Sequence, residues 1–180
     1  MNKYDKCFVP IPGFPGYEIN LSGEIWSHVS GRLLAGSISS SSYRQFSMRN
    51  VESKLYCLTL ARTLGIAFLG IDANSKLQVD HRDEDKLNNN ISNLRIASQS
   101  ENQYNTTAYS NNRSGHRGVC WHKRRSKWQA QIRFGGKQLH LGLFDNLNDA
   151  AAARKAAEIK YHGKFRPGYD TDQPATEEAL

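Results

Sequence analysis

Residues 77–105 read LQVDHRDEDKLNNNISNLRIASQSENQYN, and this stretch decides how the rest of the chain is to be read. Leu77 and Val79 alternate with polar positions and lead into Asp80 and His81, the pattern of a strand that ends on two polar side chains. The polar run DEDKLNNN that follows reads as a loop. Leu94 and Ile96 then alternate again, which predicts a second short strand over residues 94–97. Ser98 followed three positions on by Glu101 spells a capping box, so a helix is expected to begin here with Asn102 in its first turn. A hairpin and a capped helix gather Asp80, His81, Asn93 and Asn102 into one small module.

These residue types suit the hydrolysis of a phosphodiester, which needs an activated water, a cation on the phosphate and support for the departing oxygen. Asp80 and Asn102 offer oxygen ligands, which favour one hard divalent ion, Mg²⁺ or Mn²⁺, over zinc. The His81 imidazole can take a proton from water near neutral pH and so act as general base. Asn93 either orients that ring or ties the loop down. The plainer reading is a hairpin whose asparagines only shape turns.

The pattern DH…N…NLR…SEN over these residues resembles the HNH (ββα-metal) endonucleases, especially the homing enzymes of bacteriophages. The resemblance implies roles position by position: His81 as general base, Asn93 as the middle orienting asparagine, and Asp80 with Asn102 as metal ligands. Asn102 stands where many members carry histidine. Phage members with that substitution nick one strand. The resemblance also implies products with 5′-phosphate and 3′-hydroxyl ends.

Upstream, Leu60, Leu64 and Phe68 share one stripe, which predicts a helix over residues 55–69 stopped by Gly70 and supporting the hairpin. The serine-rich stretch at 31–50 reads either as a strand pair with a loose loop or as a DNA-contacting loop using Arg44 and Arg49. At the front, Tyr17-Glu18-Ile19 and Glu24-Ile25-Trp26 predict short strands about a Ser22-Gly23 turn, with Tyr17 and Trp26 as packing residues. The run PIPGFPGYEINLSGEIWS resembles the NUMOD-type segment found ahead of many phage HNH endonucleases.

Charge is unevenly spread within the net +7. Residues 1–113 hold 12 basic and 10 acidic side chains, residues 114–168 hold 12 basic and 3 acidic, and 169–180 hold 4 acids and no base. The basic C-terminal part points to a nucleic-acid partner; the resemblance to HNH endonucleases implies that this is double-stranded DNA. Cys7, Cys57 and Cys120 are widely spaced, which argues against a structural zinc site and a disulfide framework. No apolar run is long enough for a membrane span and no signal peptide is evident, so a reducing cytoplasm is expected.

Residues 106–115, TTAYSNNRSG, read as a linker. Beyond it, RGVCWHKR, SKWQAQIRF and KQLHLGLF predict three strands, with turns at 124–126 and 135–136. In the middle strand Trp128, Ala130, Ile132 and Phe134 fall on one face and Lys127, Gln129, Gln131 and Arg133 on the other. Leu139 and Leu141 of the third strand point inward, Gln138 and His140 outward. A helix capped by Asn146 and stopped by Gly163 follows, its alanines letting it lie close on the apolar face. The free face can enter a major groove, where arginine pairs with guanine and glutamine with adenine. The order RGV…KW.A.I…LG.F…AA.A resembles the plant AP-two/ERF DNA-binding domain. That resemblance places Arg117, His122, Gln131, Arg133, Gln138 and His140 toward DNA, with Gln129 on the same face. Lys123, Arg124, Arg125 and Lys127 are expected to meet phosphates, which position a protein without reading sequence. His28, His116 and His162 read as ordinary surface histidines.

The expected fold is α+β: a ββα-metal nuclease module plus a C-terminal three-stranded antiparallel sheet packed on one α-helix. The expected division is 1–50 (NUMOD-type segment), 51–107 (nuclease), 108–114 (linker), 115–168 (AP-two/ERF-like) and 169–180 (acidic tail). The function this predicts is a site-specific, metal-dependent DNA endonuclease of homing or nicking type. A single such site per chain suits a monomer that nicks, although two copies could break a duplex. The rival is a sequence-specific DNA-binding transcriptional regulator with an inactive nuclease module.

Overall fold

Why the chain turns from strand to helix at Thr59 is the first thing the computed structural model makes plain. It describes residues 7–105 and 112–169. Residues 55–59 form a strand, β7 (Leu55–Thr59), and only then does helix α1 (Leu60–Phe68) begin. The expected helix over 55–69 is therefore shorter at its front. Thr59 is extended and its hydroxyl accepts from the Arg62 amide, which satisfies one of the helix's first orphan donors. The preceding residues are claimed by pairing with β6 (Arg44–Arg49), in which Phe46 faces Leu58 and Met48 faces Tyr56. β5 (Ser37–Ile38) adds a short third strand. The serine-rich stretch is thus largely a hairpin. Arg44 lies over the Phe46 ring and Arg49 donates to the Ser53 carbonyl.

Ahead of it, β1 (Val9–Pro10), β2 (Tyr17–Ile19), β3 (Ile25–Ser27) and β4 (Arg32–Leu33) form an antiparallel sheet in chain order. The turn between β2 and β3 is closed by Asn20, which is fully buried, accepts from the Glu24 amide and donates to the Glu24 carboxylate. One apolar core joins these pieces: Phe14, Ile19, Ile25, Phe46, Met48, Leu60, Leu64, Ile71 and Leu94 pack together. A domain boundary at residue 50 would cut the β6–β7 turn and split this core, so the N-terminal segment and the nuclease stretch are one unit.

Residues 1–99 and 100–180 form two compact units. In the first, the Arg62 guanidinium donates to the carbonyls of Asp72, Ala73, Ser75 and Leu77, clamping the loop that leads into β8 (Gln78–His81). Gly65 lets α1 lie against that strand: a Cβ there would meet Val79 Cγ2 at 2.5 Å. β8 pairs antiparallel with β9 (Leu94–Ala97), and α2 (Gln99–Tyr104) follows directly.

In the second unit β10 (Val119–His122), β11 (Lys127–Phe134) and β12 (Lys137–Phe144) are antiparallel in chain order, and α3 (Leu147–Tyr161) packs on them. Asn146 caps α3 by accepting from the Asn148 amide. The helix buries Ala150, Arg154 and Ala157, one stripe at helical spacing. Val119, Ala130 and Ala150 form the small core, with Trp128, Leu141, Phe144 and Leu147 packed around it. A register shift at Ala130/Gln131 lets Gln131 face His140. Phe134 is expected inward, yet it is 42% exposed: it ends the β11–β12 ladder, with the ring of Tyr161, the last residue of α3, 5.3 Å away. The end of the expected linker is fixed structure: the Ser114 hydroxyl donates to the Val119 carbonyl and Asn112 donates to the His116 carbonyl. The expected linker residues 108–111 and nearly all of the acidic tail lie outside the described residues.

Candidate active site and nucleic-acid interface

The β8–β9 register decides what stands beside the two polar residues at the end of β8: Arg95 is opposite Asp80, and Leu94 is opposite His81. Opposed residues share a face of the ladder. Arg95 Nε donates to Asp80 Oδ2 at 2.8 Å and its Nη2 lies 2.7 Å from the same oxygen. Both side chains are buried, and a carboxylate taken out of water requires such a partner. Arg95 was not singled out from sequence, although its place opposite Asp80 follows from the hairpin register.

His81 is also buried, and its Nε2 lies 3.2 Å from Asn89 Oδ1. Its ring is tilted against Tyr43, with centroids 6.2 Å apart. Lys86 Nζ sits over the Tyr43 ring at 4.9 Å and donates to the Ser41 carbonyl, so the serine-rich turn lies next to the histidine. Asn89, Asn90, Ser22 and Arg44 help to line an open depression of about 630 Å³ in the same unit.

Of the two roles expected for Asn93, its hydrogen bonds are those of the loop tie. Asn93 Nδ2 donates to Asp83 Oδ1 and to the Asn88 carbonyl, both at 2.8 Å. Its Oδ1 accepts from the Asp83 amide and its carbonyl accepts from the Arg82 amide. Asn88 donates to the other Asp83 oxygen. Burial pushes the Asp83 carboxyl up, but the Asn88 and Asn93 amides, the Asp85 backbone and the charge of His81 outweigh it and hold it below its ordinary value. The asparagine-rich loop is therefore built around Asp83, whose place at its centre no local pattern signals.

Asn102 lies on α2, and the division between the two units falls inside that helix, ahead of Ser100. Among the described residues no three His, Cys, Asp or Glu side chains gather into a metal-holding group. The Asp80 carboxylate and the Asn102 amide each offer oxygen, a donor type that suits Mg²⁺ or Mn²⁺ better than zinc.

The second unit redistributes the expected DNA contacts. Arg117 is not on the free sheet face: its guanidinium donates to the carbonyls of Gln103 (2.7 Å) and Tyr104 (2.8 Å), holding the last turn of α2. The ladder begins only at Val119, and Gly118 has φ +69°, so strand alternation does not reach Arg117. His162 also departs from expectation. It is 4% exposed, stacks parallel on Tyr104 at 3.9 Å, and its Nε2 lies 3.0 Å from the Arg133 carbonyl. Burial lowers its pKa below the ordinary imidazole value; Arg154 and Arg117 act the same way, against the Arg133 carbonyl and Glu158. Arg154, buried on α3, bonds Glu158 and the Gln131 carbonyl.

Gln129, Gln131 and Arg133 alternate along β11, and pairing puts Gln138 and His140 beside the last two on one face. Gln138 donates to Gln131, so these two amides form a pair. His122 Nδ1 accepts from the Arg125 amide and so caps the turn that displays Lys123, Arg124 and Arg125 in solvent. Lys127 pairs with Asp145 at 3.0 Å on the surface. Cys7, Cys57 and Cys120 are exposed thiols. No helix among the described residues is long and apolar enough to cross a membrane.

Comparison with known proteins bears on both units. The HNH endonuclease family profile matches residues 62–104. Protein 3.8 of Escherichia phage T7 is 33% identical over 87 residues, which are 48% of this chain and 71% of that protein. The H-N-H endonuclease F-TflII of Escherichia phage T5 is 33% identical over 101 residues, 56% of this chain and 52% of its own. The ethylene-responsive transcription factor WRI1 of Arabidopsis thaliana is 38% identical over 60 residues, 32% of this chain and 14% of that protein. A solved structure of the HNH homing endonuclease I-HmuI has a TM-score of 0.46 and 29% identity, over 54% of this chain and 55% of its own. The chain thus spans about half the length of the named endonucleases it matches.

Proposed function

The chain belongs to the HNH endonucleases, and on that premise we propose that it is a site-specific, metal-dependent DNA endonuclease of the homing or nicking type. The observation that carries this reading is the end of β8, where Asp80 and His81 sit side by side in a hairpin whose loop Asn93 ties shut. His81 is the general base: it takes a proton from the water that attacks phosphorus, a contribution of about 10²–10⁴-fold in rate. The 3′ oxygen leaves, giving 5′-phosphate and 3′-hydroxyl ends. Asp80 and Asn102 would hold one Mg²⁺ or Mn²⁺ ion. When bound, that ion supplies Lewis-acid support to the phosphate and the leaving oxygen. Arg95 keeps the Asp80 carboxylate in a fixed orientation.

The partner in this reading is double-stranded DNA. The second unit reads it in the manner of an AP-two/ERF-like domain, with Gln129, Gln131, Arg133, Gln138 and His140 toward base edges and Lys123, Arg124 and Arg125 on phosphates. The plant relative supports this part of the reading. It is also the observation that favours the rival, a DNA-binding regulator whose nuclease unit is silent.

Supercoiled plasmid or phage DNA incubated with the protein and Mg²⁺, Mn²⁺ or EDTA separates the two. Relaxed or linear product that needs metal and disappears in His81→Ala is the expected result. Tight binding without cleavage under either metal would leave the regulator standing.

A further inference from the structure

We infer that Gln131 and Gln138 read DNA as one unit: their interlocked amides present a single donor–acceptor edge that fits one adenine, in place of two glutamines that take an adenine each. This rests on the DNA-binding reading of the second unit proposed above and not on the nuclease chemistry. The pairing comes from the strand geometry. An unbroken ladder beyond Ala130–Gly142 would set Gln131 against Leu141 and Arg133 against Leu139. The register shift at Ala130/Gln131 replaces those leucines by His140 and Gln138, so the free face carries polar side chains from both strands. Gln131 and Gln138 are then diagonal neighbours, within reach of each other's long side chains, and Gln138 Nε2 donates to Gln131 Oε1.

A glutamine that reads adenine alone uses both ends of its amide, the nitrogen toward N7 and the oxygen toward the N6 amino group. In the pair, each amide has turned one end to its mate. The ends left for a base are the nitrogen of Gln131 and the oxygen of Gln138, one donor and one acceptor on different residues. Exchanging oxygen and nitrogen on both side chains leaves the same set, so the count does not depend on which of the two donates. Adenine matches it. Guanine sets two acceptors against it and cytosine a donor alone, so neither engages both ends.

The strand that carries the pair is tied from behind. Just past the last β10 pair, the Gln131 amide donates to the Gly118 carbonyl at 2.8 Å. Arg154 Nη1, from α3, donates to the Gln131 carbonyl at 2.6 Å, and His162 Nε2 lies 3.0 Å from the Arg133 carbonyl. The backbone under the reader is therefore ordered before DNA arrives, which lowers the entropy cost of binding.

The test is a binding selection by the full chain from a randomised duplex library in EDTA, followed by affinities for the selected site from fluorescence anisotropy. Gln131→Ala and Gln138→Ala should each abolish the preference at the same adenine, weakening the selected site about 5- to 150-fold. The double variant should bind no more weakly than either single one. Gln138→Glu is isosteric at an exposed position and obliges Gln131 to donate to it, which leaves two acceptors for the base. Preference at that position should then pass from adenine to cytosine, whose N4 amino group donates. Single variants that each lose a different adenine, with losses that multiply in the double variant, would show two separate readers and overturn the inference. Variants that keep the wild-type site, or a Gln138→Glu protein that keeps its adenine, overturn it as well. A selection without sequence preference overturns the DNA reading of this face and the inference with it, while the plasmid assay judges cleavage separately.

Discussion

Replacing Gly65 by alanine sets two effects of known size against each other. Within a helix interior, alanine is favoured over glycine by about 1 kcal/mol, so propensity alone makes the change stabilising. Packing opposes it. The added Cβ would lie 2.5 Å from Val79 Cγ2 and 3.2 Å from Ile71 Cγ2. Carbon atoms in contact prefer about 3.5–4.0 Å, so α1 and β8 must separate by about 1 Å. Val79 is β-branched and cannot swing its methyl aside cheaply, and overpacking of this kind costs about 1–3 kcal/mol. Packing therefore wins, with a net loss of about 1 kcal/mol in the first unit. Urea unfolding followed by Trp26 fluorescence, with Trp121 and Trp128 replaced by phenylalanine, reads that unit alone. The cycle with Val79→Ala isolates the cause: once the Cγ2 methyl is gone, Gly65→Ala should become neutral or stabilising. A Gly65→Ala protein at least as stable as its parent, or a cycle with no coupling, would refute the reasoning. Since Val79 directly precedes Asp80, the single variant should also cut more slowly.

Two further outcomes follow from the second unit. His162 has its pKa depressed by burial, so its contribution to stability is full above pH 6.5 and is lost as the pH falls, while the unfolded chain takes up a proton that the folded ring refuses. Urea midpoints measured from neutral pH down to about 5.5 should decline in the wild type and decline less in His162→Phe, which keeps a ring against Tyr104. For DNA binding, Arg124→Ala should lower the slope of log affinity against log salt by about 1, as expected for a lost phosphate contact. Arg117→Ala should leave that slope unchanged, because its guanidinium is engaged with α2.

The parts of the molecule legible in the sequence are those where local pattern and tertiary environment agree. Val79, Leu94 and Ile96 report the β8–β9 hairpin because they fall on one face of it and pack into the core, while Leu77, outside the strand, is exposed. Asn146 and Gly163 bracket α3 because caps act locally. What stayed hidden depends on distant partners. Residues 55–59 carry the spacing of α1 backward, yet pairing with β6 takes them as strand. Arg117 looks like a strand residue until Gly118 turns the chain before the ladder starts. His162 reads as surface because Tyr104, the ring that covers it, comes from a different stretch of sequence. In the run NNN, three identical residues have three different partners, and nothing in their order tells which of them meets His81.

The grip of Arg117 and His162 on the last turn of α2 has a consequence for how such proteins exchange parts. A hybrid joined in the polar stretch after residue 105 would strip the Gln103 and Tyr104 carbonyls of their arginine and Tyr104 of its stacked ring. A newcomer module would have to bring an equivalent arginine and a flat ring of its own. A crossover placed ahead of Ser100 keeps every one of those contacts, because the helix travels with the sheet that holds it. The transplantable cassette is therefore longer than the recognition fold, and it carries Asn102 along. In this lineage a new target preference and one of the proposed metal-binding side chains would be inherited together.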